Sequence, residues 1–191
     1  MLREVWSEEE GTVLFKPSEL FMIWSIAKAQ RRLGGEYAEV GMFRGASAKI
    51  ICEAKGENTL FHGFDTFEGL PRVGPLDPRF KTGMFRGNEE YVRRRLRLYP
   101  RAQLHKGLFP DDTGQAIVGR TFAFVHLDVD LYSSTKAALE AFYPQMLPGG
   151  IILSHDFSQC AGVRQAFDEF MTDKPDQLIE LPCTQVMLIK V

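Results

Sequence analysis

Cysteine is scarce in this chain of 191 residues: there are three, Cys52, Cys160 and Cys183, an odd number with no Cys-x-x-Cys pair among them. That spacing argues against a disulfide framework and against a cysteine-held zinc or redox site, and fits reduced thiols in the cytoplasm. Long apolar runs are lacking too. Nowhere do about 18 apolar residues follow one another, and the start, Met1-Leu2-Arg3-Glu4-Val5-Trp6, carries no apolar stretch of the kind a secretory signal needs. Nor is positive charge in excess, since 23 Lys and Arg stand against 25 Asp and Glu, for a formal net charge of -2. Neither nucleic acid nor a membrane is therefore an expected partner, because both call for a basic surface.

What is present is an ordinary globular composition, 45% hydrophobic and 25% charged, at a length that suits one domain spanning residues 1–191. Apolar residues recur at helical spacing over residues 18–33 (Leu20, Ile23, Trp24, Ile26, Ala27), and Gly34-Gly35 stops that first helix, so that residues 1–35 form an N-terminal segment. Strands are expected at 37–40, 60–64, 102–105, 121–127 and 151–154, with Pro148-Gly149-Gly150 as the turn before the last of these. Helices are expected at 46–55, 88–99, 134–143 and 163–171, and two close-spaced strands, 177–181 and 185–191, end the chain. Residues 68–87 carry three prolines and four glycines without periodicity and read as a surface loop of the length lids have. Arg93, Arg94, Arg95 and Arg97 on the helix after it read as a solvated face, opposite Tyr91, Val92, Leu96 and Tyr99. The run Thr121-Phe-Ala-Phe-Val-His-Leu127 suits a strand buried on both faces. Alternating strands and helices predict an α/β fold: a mostly parallel sheet with helices on both faces and an antiparallel edge from the final pair.

In such sheets ligands bind beyond the carboxyl ends of the strands. The first strand ends in Glu39-Val-Gly41-Met-Phe43-Arg44-Gly45-Ala-Ser47, a glycine turn opening a helix, where free backbone N–H groups meet a ligand. The second ends in Asp65, 20 residues after Gly45, where a carboxylate accepts ribose hydroxyls. Asp128-Val-Asp130 and His155-Asp156 follow the fourth and fifth strands. If those strands are neighbours, Asp128, His155 and Asp156 meet as a ligand set for a divalent cation such as Mg2+. The plainer reading is that each aspartate caps the helix after its strand. His155 is open to three roles: ligand, proton acceptor or hydrogen-bonded structural residue. His62 and His126, inside apolar runs, read as core, and Phe43, Phe67 and Phe109 as pocket lining or packing.

With these residues in place, the sequence resembles the macrocin O-methyltransferase (TylF) family of class I S-adenosylmethionine-dependent methyltransferases, over most of residues 37–191. The residues that carry the resemblance are 39–47, then Phe64-Asp65-Thr66-Phe67-Glu68-Gly69-Leu70-Pro71, Lys106-Gly107-Leu108-Phe109, and above all Leu127-Asp128-Val-Asp130-Leu131-Tyr132-Ser-Ser-Thr135 with Tyr143-Pro144 and Leu147-Pro148-Gly149-Gly150. The resemblance implies a Rossmann-like, seven-stranded sheet with its last strand reversed and O-methylation of a small hydroxylated acceptor. It also implies S-adenosylmethionine held by Glu39, Gly41, Phe43, Arg44, Gly45, Ser47, Asp65, Thr66, Phe67, Gly107, Phe109 and Asp128. Asp128 and Asp156 match the family's magnesium ligands, and Asp128 and His155 are the expected catalytic residues. Two departures stand out: a histidine, His155, where the family has an aspartate, and little chain before residue 37 to enclose substrate. A second copy of the chain is the one macromolecular partner expected.

Two other readings compete. Gly41-x-x-x-Gly45 with Tyr132-x-x-x-Lys136 matches parts of the short-chain dehydrogenase pattern, in which the lysine lowers the tyrosine pKa for proton transfer. A non-catalytic relative that binds cofactor or metal without transfer is the second.

Overall fold

The computed structural model describes residues 14–191. The absence of a signal-like stretch in Met1–Trp6 concerns residues outside that range, as does the first part of the N-terminal segment.

Helix α1 (Pro17–Ala29) opens with proline at its first turn, where no N–H is needed, and Glu19 closes a capping box by accepting the Lys16 amide at 2.7 Å. Its Leu20, Ile23, Ile26 and Ala27 are buried, and a short 3-10 turn (Gln30–Leu33) carries the chain to Gly34. The strands are β1 (Glu36–Val40), β2 (Phe61–Asp65), β3 (Ala102–Lys106), β4 (Phe122–Leu127), β5 (Met146–Ser154), β6 (Gln177–Glu180) and β7 (Val186–Ile189). The remaining helices are α2 (Ala46–Ala54), α3 (Glu89–Leu96), α4 (Tyr132–Phe142) and α5 (Ala161–Met171). The seven strands form one sheet in the order β3-β2-β1-β4-β5-β7-β6. The first five pair in parallel, and β7 runs antiparallel between β5 and β6, which is the reversed last strand expected.

Helices cover both faces. On one, Leu20 and Ile23 of α1, Ile50 and Ile51 of α2, and Val92 and Leu96 of α3 pack over Tyr37 and Phe124. On the other, Leu139 and Phe142 of α4 and Val163 and Phe167 of α5 pack with Phe64, Phe122, Val125 and Leu188. All six residues of β4, at the centre, are buried, which explains its uninterrupted apolar run.

One expectation is corrected. Pro148-Gly149-Gly150 is no turn before a strand but a bulge inside β5. Phe122 pairs with Met146 and Phe124 with Ile151, so two steps along β4 face five along β5. Neighbouring β7 stabilises the bulge, because the Gly149 amide donates to the Lys190 carbonyl at 2.7 Å and the Lys190 amide to the Gly150 carbonyl at 2.9 Å. Pro148, which has no N–H to give, is exposed at the irregular position where a strand tolerates it.

The chain leaves β1 outward through β2 and β3, then returns to β4 on the other side of β1. That reversal opens a crevice at the carboxyl ends of β1 and β4. Residues 68–87 lie over this end without helix or strand. The loop closes on itself, the Leu70 amide donating to the Met84 carbonyl at 2.7 Å and the Gly83 amide to the Leu70 carbonyl at 2.9 Å.

Candidate active site

The crevice is a cavity of about 340 Å³, within the range of small-ligand sites. Five strand ends contribute to its wall: Gly41, Phe43 and Arg44 after β1, Asp65 and Thr66 at β2, Gly107 and Phe109 after β3, Asp128 after β4, and His155 and Asp156 after β5.

At the β1 turn, Gly41 has φ +86°, and a Cβ there would run into the Asp128 carbonyl. Only glycine combines that left-handed backbone with so close an approach of β1 to β4. The Gly45 amide closes the turn on the Met42 carbonyl at 2.7 Å. Asp65 supports it from β2: one carboxylate oxygen accepts the Met42 and Phe43 amides at 2.8 and 2.7 Å, and the other accepts the Phe67 amide at 2.6 Å. Burial raises the Asp65 pKa, against the pull of those three amides.

Glu39, Gly45, Ser47 and Phe67, also expected at the cofactor, do not line the cavity. Glu39 lies beneath the turn, fully buried, with its carboxyl 2.8 Å from His126 Nδ1. Burial raises its pKa well above the carboxylate range, and a hydrogen bond from Ser47 works the other way. Glu39, Ser47 and His126 thus form a polar core under the glycine turn.

The metal candidates do converge. One ligand atom each from Asp128, His155 and Asp156 fall within 4.8 Å of one another. His155 Nδ1 lies 3.3 Å from an Asp128 oxygen and 3.1 Å from an Asp156 oxygen, and Nε2 faces Glu19 at 3.5 Å. Burial alone would lower the His155 pKa, but the Asp128, Asp156 and Glu19 carboxylates outweigh it and hold the imidazole charged well above its ordinary range. Glu19 is itself lowered to about 2, its burial overcome by His155, the Lys16 amide and Thr184. Asp130, next along the same wall, is pushed up to about 8 by burial and by Asp128 and Asp156.

The capping alternative fails on the helix termini. Leu131 and Cys160, which precede α4 and α5, give no side-chain cap, and the first amide of α4, Tyr132, donates to Asp77 of the 68–87 loop at 3.2 and 3.1 Å. Among the described residues, five besides glycine have positive φ, from 49° to 61°, and four of them, Phe43, Phe85, Asp130 and Asp156, line the cavity, while the fifth, Phe67, gives its amide to Asp65. Backbone strain of this kind gathers where side chains are aimed at a ligand.

Sequence reasoning missed Glu19, Asp77, Arg79 and Arg95. Glu19 had a signal, its capping position two residues into α1. Arg95, read as part of a solvated face, lines the cavity beside Tyr91, its guanidinium donating to the Tyr91 hydroxyl at 2.9 Å. Arg79 donates to the Gln159 carbonyl at 2.8 Å. The dehydrogenase reading fails in turn: Tyr132 and Lys136 bond to Glu169 on the outer face of α4 and α5, away from the cavity wall.

Known proteins resemble this chain over much of its length. A demethyldecarbamoylnovobiocin O-methyltransferase of Streptomyces niveus is 27% identical over 166 residues, 77% of this chain and 63% of its own length. A Streptomyces olivaceus 8-demethyl-8-(2,3-dimethoxy-alpha-L-rhamnosyl)-tetracenomycin-C 4'-O-methyltransferase is 31% identical over 140 residues, 65% of this chain and 53% of its own length. The chain therefore spans roughly half to two thirds of the curated relatives it matches. The solved O-methyltransferase NovP superimposes with a TM-score of 0.77 at 26% identity, covering 91% of this chain and 79% of that one. The macrocin O-methyltransferase (TylF) profile matches residues 26–188, the stretch that builds the sheet and nearly all of the cavity wall, and the chain belongs to that family.

Proposed function

We propose that this chain transfers a methyl group from S-adenosylmethionine to a hydroxyl of a small natural-product acceptor, such as a sugar hydroxyl, with help from a divalent cation. The observation that carries the reading is the convergence of Gly41, Asp65, Gly107, Phe109, Asp128 and Asp156 on one cavity at a switch point of the sheet. The curated relatives supply the acceptor class, since their names specify O-methylation of a novobiocin precursor and of a rhamnosyl tetracenomycin.

The residues present fit both groups. Gly41 leaves a cradle that a Cβ would fill, and Asp65, already oriented by three amides, has lone pairs left for ribose hydroxyls. The acidic floor formed by Asp65, Asp128 and Asp156 suits a cofactor bearing positive charge. Bound there, S-adenosylmethionine supplies a methyl group on a sulfonium. The chain's part is to bind and align: Phe109 and Gly107 would hold the adenine, Asp65 the ribose, and the glycine turn with Arg44 the methionyl end. Alignment of this kind supplies much of the rate in a transfer between two bound partners.

Asp128 and Asp156 would hold the cation, joined by His155 once the imidazole gives up its proton. Asp130, pushed up to about 8 by burial and then by Asp128 and Asp156, lies where negative charge is crowded and a cation would relieve it. One nitrogen and two oxygen donors suit a borderline ion such as manganese as well as magnesium. Such an ion lowers the pKa of a bound hydroxyl. The reading places the protein in the cytoplasm with its three cysteines reduced; among the described residues no helix is long and apolar enough to cross a membrane.

Calorimetric titration of S-adenosylmethionine, and separately of Mg2+ and Mn2+ with and without EDTA, tests the reading, followed by a panel of glycosidic acceptors. Micromolar cofactor affinity and metal-dependent turnover are expected. Cofactor binding without turnover of any acceptor under any divalent ion would favour the non-catalytic relative. Binding of NAD(P)H alone would overturn both.

A further inference from the structure

Glu19 is bonded more fully than a capping box requires. The box uses one bond, from the Lys16 amide to Oε2 at 2.7 Å, and a glutamate in that role can stay in water. Glu19 is instead 1% exposed, and its Oε1 accepts the Thr184 hydroxyl at 2.9 Å, across 165 residues of sequence. Thr184 is itself buried, in the connection between β6 and β7, and its carbonyl accepts the Ser158 amide at 3.3 Å, just beyond Asp156. The carboxylate of α1 is thus tied to the segment that carries His155 and Asp156. Burying a charge in this way is costly unless its partners are in place.

The remaining partner is His155. Its Nε2 is buried without a full hydrogen bond, and the acceptor it faces is Glu19 Oε2 at 3.5 Å, so a small shift of either side chain completes the contact. Nδ1, across the ring, lies between Asp128 and Asp156, at 3.3 and 3.1 Å. The Phe15 ring packs against the imidazole at 61°, with centroids 4.8 Å apart, and restricts its turning. A neutral imidazole carries its one proton on either nitrogen. A carboxylate beside Nε2 selects that nitrogen and leaves the Nδ1 lone pair facing the two aspartates. Metal-bound histidines are commonly oriented by a carboxylate on the far nitrogen in this way.

We propose that Glu19 is a positioning residue of the cation site: it keeps the His155 proton on Nε2 and so aims the Nδ1 lone pair at the ion that Asp128 and Asp156 hold. This rests on the cation-assisted reading of the cavity and adds the part played by α1. The histidine that stands where the family has an aspartate then acts as an oriented nitrogen donor. The site in consequence favours a borderline ion such as Mn2+ over Mg2+, because nitrogen suits the borderline ion better.

Calorimetric titrations of Mn2+ and Mg2+ into the whole chain test this, in the unaltered protein, Glu19→Gln, Thr184→Val, His155→Asp and the variant combining Glu19→Gln with His155→Asp, with a urea midpoint for each. Glutamine keeps the cap and the shape of the side chain and loses its charge. Glu19→Gln should weaken Mn2+ binding roughly tenfold or more, the usual cost of disturbing a ligand histidine's carboxylate partner, and Mg2+ binding less. Thr184→Val, which leaves the capping box intact, should act in the same direction by a smaller factor. With His155→Asp there is no imidazole to hold, so adding Glu19→Gln should weaken Mn2+ far less than it does in the unaltered chain. Nitrogen NMR spectra of the histidines in the Zn2+-loaded protein, which need no variant to fold, should place the His155 proton on Nε2. A proton on Nδ1 instead, or Mn2+ affinity unchanged in Glu19→Gln, overturns the proposal. So does an equal loss of Mn2+ affinity with and without His155, which would reduce Glu19 to a structural cap; in these cases the cation reading stands. An unaltered chain that binds none of these ions overturns the cation reading and this inference together.

Discussion

Asp65 and Asp128 line the same cavity and have different surroundings, so their loss should be felt differently. Asp65 braces the glycine turn through the Met42, Phe43 and Phe67 amides. Asp65→Ala should weaken S-adenosylmethionine binding severely. Asp128 is paired with His155 at 3.3 Å, beside Asp156. Asp128→Ala should lower turnover by about a hundredfold or more, as removal of one well-placed charged group commonly does, while costing much less cofactor affinity. Calorimetry and single-turnover rates on the two variants check this, and equal loss of cofactor binding in both would count against a separate metal role for Asp128. Gly41→Ala probes the backbone itself: with φ +86° and the Asp128 carbonyl in the way, it should cost about 1–3 kcal/mol of stability or more, read as a lowered urea midpoint.

Among the elements, the 68–87 loop is held by contacts distant in sequence. Asp77, buried in the middle of it, takes the Tyr132 amide at the start of α4, and Gly162 at the start of α5 packs so close to the Asp77 carboxylate that a Cβ would strike it. Arg79 adds a second tie through the Gln159 carbonyl. The loop thereby brings Phe80 and Phe85 to the cavity wall. Asp77→Ala removes a helix cap worth about 1 kcal/mol and should also loosen the loop. The expected result is faster proteolysis within residues 68–87 and a KM for acceptor raised several-fold, with cofactor affinity nearly unchanged. An unchanged proteolysis rate would mean that the loop's own hydrogen bonds hold it. The loop itself was legible from its prolines, glycines and lack of periodicity, but the tie was not, because Asp77 and Tyr132 lie 55 residues apart with no local pattern to join them.

For the molecule as a whole, acid sensitivity should arise at buried histidines: His126 beneath the glycine turn, which burial lowers to about 4, and a pair further along the sheet. His62, fully buried on β2, bonds through its two nitrogens to Glu36 at 2.7 Å and His105 at 3.2 Å. Burial lowers its pKa below the ordinary 6.5, the Glu36 carboxylate only partly opposing, and His105 is lowered by its own burial and by His62. The unfolded chain therefore binds more protons at these sites than the folded one once the pH is below about 6.5. Their contribution is fully present above that pH and is lost as the pH falls through the folded pKa values. Urea midpoints measured from about pH 7.5 to about pH 5, a span around the histidine range, should fall on the acid side. His62→Phe should flatten that fall, and an unchanged slope in the variant would assign the acid sensitivity elsewhere.

The sequence alone determined the class of the fold and the family, and it named most of the strand-end side chains that the structure brings to the cavity wall. The continuous apolar run of β4, the alternation of strands with helices and the polar residues at strand ends are local patterns, and local patterns survive without coordinates. The helix starting two residues earlier at Tyr132, and the bulge at Pro148–Gly150 where a turn was expected, were decided by neighbours: Asp77 supplies the cap, and β7 supplies hydrogen-bond partners for Gly149 and Gly150. Tertiary structure alone decided which charges meet. It set Glu19 of α1 against His155 after β5, put Glu39 beneath the glycine turn rather than in the cavity wall, and turned Arg95 toward the cavity. Periodicity tells which face of a helix is apolar, but the partner of a charged side chain is fixed only when distant segments pack, and its Coulomb energy depends on that distance and on the burial around it.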